Sequence, residues 1–291
     1  MENANLYLYF IKAWYDGRSY NGSQYQPAQR TVDGALVDAL RERGYFPAGP
    51  VHNEYFKVAG RTDKGVSALA AVFYVRVLKP LHPCEINEHL RINGHTIMIW
   101  SVARLASPSH PRQALYRVYK YFHAMGHEPV DVENVRRGLQ ALTGDHDFKG
   151  FSKARIDPAL RTTRTIDVAT VEREGDVLVF TFQSKGFLWE QVRRMVAFLL
   201  AHSNDGSIVE RVESVLRTGR PPNMEPAPPA GLVLWNVQYG PEIAWEDVDG
   251  CLEQFFKALR AKYIEDRSRS ALLEAVFITM LDATRNKKNS N

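Results

Sequence analysis

The chain has 291 residues, 45% of them hydrophobic and 24% charged, a globular composition that excludes overall disorder and is long enough for one large domain or two ordinary ones. Its longest apolar run, Met195 to Ala201, falls far short of the ~20 residues of a membrane helix, and the N-terminus lacks a basic-then-apolar export pattern, so no membrane partner and a cytoplasmic location are expected. Cys84 and Cys251 stand far apart and outside any ligand cluster, which excludes a disulfide framework and a cysteine zinc site, and the net charge is only +4.

Leu6 to Tyr15 is rich in aromatic and aliphatic residues and stops at Asp16-Gly17, a strand followed by a turn. Thr31 is placed to cap a helix running to about Arg43, with Val32, Ala35, Leu36 and Ala39 at helical spacing. Tyr55 to Ala59 and Ala71 to Leu78 read as strands. Pro83 opens a helix to about Leu90, and Thr96 to Ala106 is another strand. The same order then returns. Arg117 to Ala124 is a strand, and Asp131 caps a helix reaching Leu142. Arg164–Val171 and Val177–Gln183 form a hairpin across Arg173-Glu174-Gly175-Asp176. Phe187 to His202 reads as a buried helix, Ile208 to Leu216 as a shorter one, and Gly231 to Tyr239 as a strand. The expected fold class is therefore α+β: two ferredoxin-like, RRM-like βαββαβ halves with antiparallel sheets. The halves are expected at residues 1–108 and 109–240, with a helical C-terminal extension over 241–291 that starts near Ala244 and ends in a frayed polar tail.

Charge is distributed unevenly. From His89 to His127 there is no acid, while Arg91, Arg104, Arg112, Arg117 and Lys120 are present. Lys149, Lys153, Arg155, Arg161 and Arg164 face only Asp157, whereas the stretch from Glu242 to Asp266 is acidic. Cations interleaved with Tyr116, Tyr119, Tyr121 and Phe151 suit a phosphate backbone. Two function classes fit: a module that stacks RNA bases on its sheet, or an enzyme holding its substrate between two halves. Lys149-Gly150-Phe151 and Lys185-Gly186-Phe187 begin like an RNA-module motif but fail at its later aromatic positions, which favours the enzyme. Asp145-His146-Asp147 reads as polar residues at a helix end, so no metal is expected.

The sharpest feature is Gly60-Arg61-Thr62-Asp63-Lys64-Gly65-Val66-Ser67-Ala68, directly after a strand. Glycines at its two ends permit a tight bend that presents Arg61, Asp63 and Lys64 together. An isolated Asp-Lys-Gly would be a plain turn. This segment, however, resembles the signature of the tRNA pseudouridine synthase A family, Gly-Arg-Thr-Asp-x-Gly-Val-x-Ala. The resemblance runs from about residue 7 to 240. It takes in Tyr15-Asp16-Gly17 with Tyr20 and Gly22, then Gln29, Thr31 and Val32. Further on it takes in Arg112, Ala114, Arg117, Tyr119 and Tyr121, then Gly144, Asp147, Phe148 and Phe151. It closes with Phe187-Leu188-Trp189, Val192-Arg193-Arg194-Met195-Val196 and Ala227 to Leu234. Lys64 and Ser67 depart from the Ala and His usual in bacterial members and resemble the archaeal and eukaryotic branch.

The resemblance implies an isomerase that makes pseudouridine in the anticodon stem-loop of tRNA, at positions 38 to 40, on a homodimer with a basic cleft. The reaction breaks C1′–N1, turns the uracil, joins C1′ to C5 and removes the C5 proton, so no cofactor is consumed, and the base must leave the stack. By the resemblance Asp63 is the catalytic carboxylate, Arg193 its cationic partner and Tyr119 the active-site tyrosine, with Tyr121 as the competing assignment. Arg61 enters the RNA stem, Lys64, Arg112 and Arg117 contact substrate, and Leu232 lines the uracil pocket. A cation within ~4–6 Å favours the ionised form of a carboxylate held in a closed pocket. The residues alone also allow Arg193 or Arg194 to pair with Glu190 on its own helix. The competing function is a tRNA-binding or chaperone protein without turnover, which has no need of Asp63.

Overall fold

A computed structural model describes residues 6–52, 54–126, 129–153 and 161–248, together with positions 253, 257, 260, 264 and 266. The first half runs β1 (Tyr7–Tyr15), α1 (Val32–Glu42), β2 (Phe56–Val58), β3 (Ser67–Val77), α2 (Pro83–Ile92) and β4 (Ile97–Arg104). The second runs β5 (Tyr116–Ala124), α3 (Val132–Leu142), β6 (Gly144–Asp147), β7 (Thr163–Glu174), β8 (Val177–Ser184), α4 (Gln191–Ala201), α5 (Ile208–Thr218) and β9 (Leu232–Gln238), and β10 (Glu246–Asp247) follows. The helix caps follow the local chemistry. Thr31 Oγ1 accepts the Gly34 N–H, and the Asp131 carboxylate accepts the Asn134 N–H, each satisfying a donor that the first turn would leave unpaired.

Among the described residues the strands form one mixed but mostly antiparallel sheet in the order β10-β4-β1-β3-β9-β5-β8-β7-β6, with β2 beside β3. The junction of the first and second halves is short. Ser67 and Ala68 at the start of β3 pair in parallel with Val233 and Leu234 of β9. Strand β9 then pairs antiparallel with β5, setting Leu234 opposite Tyr119 and Leu232 opposite Tyr121. The far end of the same β3 edge is covered by β2 at Phe73, Tyr74 and Val75. Helices α1 and α2 pack on each other and α2 on β4, while α3 packs on β7 and α5. Phe148, Phe151, Phe180 and Phe182 are fully buried in the second half, each contributing about 1.5–3 kcal/mol by removal of apolar surface from water.

The structure differs from the sequence expectation at four places. Strand β3 begins four residues before Ala71, inside the Gly60–Ala68 segment, because pairing with β1 and β9 overrides the low strand propensity of its alanines. Helix α4 begins at Gln191 and not at Phe187: Glu190 adopts a left-handed conformation, φ 60°, which a right-handed helix cannot contain. Residues 145–147, expected near a helix end, lie in β6 and pair with β7. Glu246–Asp247 is a strand against β4, where the helical extension was expected to have begun. The rest of that extension lies almost wholly outside the described residues, as do Arg155 and Asp157.

Candidate active site

The segment after β2 is held in shape from below. The Thr62 N–H donates to Ser23 Oγ at 2.9 Å, the Ser23 N–H to the Thr62 carbonyl at 3.1 Å, and Tyr15 Oη meets Thr62 Oγ1 at 2.8 Å. The Val66 N–H closes the turn on the Asp63 carbonyl at 3.1 Å. Gly65 carries the left-handed geometry, φ +83°, and a Cβ there would come within 3.1 Å of Pro229. Gly60 is not left-handed, so only one of the two expected hinge glycines serves in that way. A different glycine matters more. Gly17, at the end of β1, lies so close to the turn that a Cβ would overlap the Val66 carbonyl, and its N–H donates to Ser67 Oγ at 3.0 Å. The turn is thus seated on glycine backbone.

This mounting leaves Thr62 buried and turns the flanking Arg61, Asp63 and Lys64 toward a cleft. Asp63 receives two donors from the segment that opens α4. Trp189 Nε1–H donates to Oδ1 at 3.0 Å, and Arg193 Nη1–H donates to Oδ2 at 3.3 Å. Arg193 is itself buried and anchored, its Nε–H donating to the Ala227 carbonyl at 2.7 Å. The pairing with Glu190 also exists, but Arg194 makes it, at 2.8 Å. Adjacent arginines on one helix therefore divide the two partners that the sequence left open.

Glu190 also takes Lys153 Nζ at 3.0 Å, and that ammonium stands 4.4 Å from the centre of the Trp189 ring. Burial alone would push the Glu190 carboxyl up, but the hydrogen bonds from Lys153 and Arg194 together hold it below the usual range. These ion pairs fix a left-handed residue that is uncommon outside glycine, and the turn so formed aims the indole at Asp63. Trp189, Glu190 and Lys153 are the residues that sequence reasoning missed as site members. The signal was Trp189 inside the Phe187-Leu188-Trp189 match, which a helical reading of 187–190 concealed.

On β5, Arg117, Tyr119 and Tyr121 share one face and are buried. Tyr119 lines the cleft, in edge contact with Phe187 at 5.2 Å. Its hydroxyl is pushed up to about 12, first by burial and then by the Asp63 charge, against an opposing effect of Arg117. Tyr121 is buried deeper and its pKa is raised by burial, an effect the Arg193 charge opposes. Leu232 lines the same cleft as Tyr119. Arg112 is exposed at its edge. Arg117 is placed differently from the other cations. Its guanidinium donates to the carbonyls of Lys185 at 2.5 Å, Ala59 at 2.8 Å and Arg112 at 3.3 Å, tying three segments together beneath the cleft.

The cleft measures about 1460 Å³, above the ~300–1,000 Å³ usual for a small-molecule pocket. Its lining carries nine cations (Arg61, Lys64, Arg112, Arg117, Lys153, Arg161, Arg164, Lys185 and Arg193) against Asp63, Asp145 and Glu190. More positive charge therefore gathers here than the +4 of the whole chain, and walls of one sign focus a field that draws polyanions. Among the described residues no group of three or more His, Cys, Asp or Glu side chains is arranged for a metal ion, and no helix is long and apolar enough to cross a membrane.

A family model described as tRNA pseudouridine synthase matches residues 139–240. A protein of Thermococcus sibiricus named tRNA pseudouridine synthase A is 32% identical over 93% of this chain and 98% of its own length. The proteins of the same name from Thermococcus kodakarensis and Pyrococcus horikoshii are 33% and 35% identical, each over 90% of this chain and 96% of their own.

Proposed function

Because the chain belongs to the tRNA pseudouridine synthase A family, and is thus an isomerase acting on tRNA, we propose that it converts uridine to pseudouridine in the anticodon stem-loop, at positions 38 to 40, with Asp63 as its catalytic carboxylate. The observation that carries this reading is the carboxylate itself, presented in a basic cleft between an indole and a buried guanidinium. A carboxylate beside C1′ meets the positive charge that grows as the bond to N1 breaks, by the logic of glycoside hydrolysis. The detached uracil turns between Tyr119 and Leu232, C5 bonds to C1′, the C5 proton leaves and N1 gains one. Atoms balance without a cofactor.

The target base is inaccessible inside a stacked stem, so the reading requires it to be flipped out, with Arg61 of the cleft lining taking up the space it vacates and Lys64 contacting the RNA backbone. A planar guanidinium can stack on neighbouring bases while holding phosphate. Residues 1–108 and 109–240 are read as two ferredoxin-like halves that close on the stem. A cytoplasmic homodimer is part of the proposal, because a second copy extends the basic surface beyond what one chain of +4 offers. Incubating the protein with unmodified tRNA and mapping pseudouridine by position tests it. The expected product lies in the anticodon stem-loop and vanishes in Asp63→Ala. A tRNA that is bound but unmodified by the wild type would favour the non-catalytic binder, and product from Asp63→Ala would remove Asp63 from the mechanism.

A further inference from the structure

A second cavity of about 560 Å³ adjoins the cleft, and Gln24, Arg61 and Arg112 line both. The reaction scheme above makes no use of it. Asp33 on its wall is 4% exposed, and the Asp33 Oδ1 atom is buried with no hydrogen-bond partner. The carboxylate does receive the Tyr25 backbone N–H. Orphaned buried oxygens are rare in folded proteins and call for an explanation. Tyr25, 49% exposed, stands 4.9 Å from the His52 ring at a tilt of 36°, and Phe56 supports His52 edge-on at 5.8 Å. Burial and the Arg41 charge lower the His52 pKa, so this ring is a neutral aromatic surface. Lys57, Arg61 and Arg112 bring positive charge to the same cavity.

Aromatic rings, cations and one lone acceptor in a space of this size match the parts of a single nucleotide: a base face, a phosphate and a donor on the base edge. We propose that this cavity receives one unpaired nucleotide of the bound tRNA, its base carrying an amino group, with guanine favoured. Above its burial-raised pKa of about 7, as at pH 8, the Asp33 carboxylate is ionised and only accepts hydrogen bonds. Guanine offers N1–H and the N2 amino group side by side, and adenine and cytosine each offer one amino group. Uracil offers only N3–H between two carbonyl oxygens, which a carboxylate repels. The subsite therefore does not compete for the uridine being modified. Arg61 lies two residues from Asp63, at most about 7 Å along the backbone, so the bound nucleotide is a close neighbour of the target and sets which uridine enters the cleft.

This inference rests on the tRNA reading above, and the test separates them. Full-length wild type, Tyr25→Ala, Asp33→Asn and Asp63→Ala are compared on tRNA transcripts at pH 8, with thermal melts checking the fold. Kinetics are measured on the active proteins, and ultraviolet cross-links are mapped by peptide and base. The peptide carrying Tyr25 or His52 is expected to cross-link to guanine, adenine or cytosine in the wild type and equally in Asp63→Ala. Tyr25→Ala is expected to raise KM roughly tenfold, the loss of one stacked base, with kcat within about threefold. A cross-linked uracil there, cross-links confined to the main cleft, or unchanged KM in both Tyr25→Ala and Asp33→Asn would overturn the subsite, a water then serving Asp33. Wild type that makes no pseudouridine, or Asp63→Ala that does, defeats the function proposed above and leaves the cross-link result to judge the cavity alone.

Discussion

Arg193→Lys is the substitution that most directly questions the site, because it preserves the charge and removes the geometry. The guanidinium spans two acceptors, donating to the Ala227 carbonyl from Nε at 2.7 Å and to Asp63 Oδ2 from Nη1 at 3.3 Å. An ammonium on a flexible stem is a point donor and lacks the fork that holds both at once. The Arg193 side chain is 10% exposed and that of Asp63 28%, so the pair lies between a surface bridge worth ~0–1 kcal/mol and a buried pair whose breaking costs ~3–5 kcal/mol. A loss of about 2–3 kcal/mol in the chemical step corresponds to a fall of roughly 30- to 150-fold in kcat.

Trp189→Phe serves as the internal comparison. It keeps an aromatic ring beneath Lys153 and deletes only the neutral donor to Asp63 Oδ1. Trp189 is 51% exposed, so water can replace its N–H, and the expected cost is ~0.5–1.5 kcal/mol, or roughly two- to tenfold. Single-turnover release of tritium from C5-labelled uridine in tRNA reads the chemistry directly, since that C–H bond must break. Melting curves run in parallel should show Arg193→Lys lowered by only a few degrees through the lost Ala227 bond. If Arg193→Lys stays within threefold of wild type, or if Trp189→Phe proves the more damaging, the carboxylate is not held in the way the geometry indicates.

Three further outcomes are expected. Gly17→Ala sets a Cβ at 2.0 Å from the Val66 carbonyl oxygen, an overlap with backbone that should cost about 1–3 kcal/mol; an unchanged melting temperature would contradict the tight seating of the turn. Asp33 is pushed up to about 7 by burial, against opposing contributions from the Tyr25 amide and Arg61. Its folded-state pKa is thus above the unfolded value, so the native state holds a proton that the unfolded chain has released, and stability is lost as pH rises from about 4 to 7. The advantage of Asp33→Asn over wild type in thermal melts should therefore widen across that window, by an amount on the order of 4 kcal/mol, and level off above it; a gap independent of pH refutes the assignment. Tyr119→Phe keeps the edge contact with Phe187 and so should melt like wild type while losing about a hundredfold in product formation. With the Tyr119 hydroxyl held up near 12, the wild-type rate should show no tyrosine limb below about pH 11, and such a limb, absent from the Phe variant, would count against it.

Those parts of the fold governed by local chemistry were legible in the sequence. The caps at Thr31 and Asp131, the proline opening α2 and the hairpin turn at Gly175 each follow from one or two residues whose side chain or backbone leaves little choice. The misread boundaries share a different cause. Ala68, Ala70 and Ala71 are weak strand formers, yet β3 extends through them because β1 lies on one side and the tip of β9 on the other. The polar run 145–147 becomes β6 for the same reason, its partners in β7 lying 16 to 20 residues away in sequence. At Glu190 no propensity scale suggests a left-handed turn, since Lys153, one of the ion-pair partners that hold it, lies 37 residues away in sequence.

The site shows the same division at higher stakes. The family resemblance pointed to Asp63, Arg193, Tyr119 and Leu232, which line one cleft, but not to what assembles them. The two donors to Asp63 lie 126 and 130 residues downstream, and what brings them close is the two-residue parallel seam of Ser67 and Ala68 with Val233 and Leu234. That seam begins two residues beyond Gly65 and at the residue following Leu232, so the turn, the cleft-lining Leu232 and the tyrosine strand are placed by one contact. Contacts so distant in sequence are entropically costly to close and are expected to form late. It follows that a chain with both halves folded but the seam unmade presents Asp63 without its donors. Substitutions that weaken the seam, such as Ala68→Gly, should then depress turnover more than they depress tRNA affinity, because attraction between cations and phosphates falls off slowly with distance whereas the hydrogen bonds to Asp63 weaken steeply when displaced.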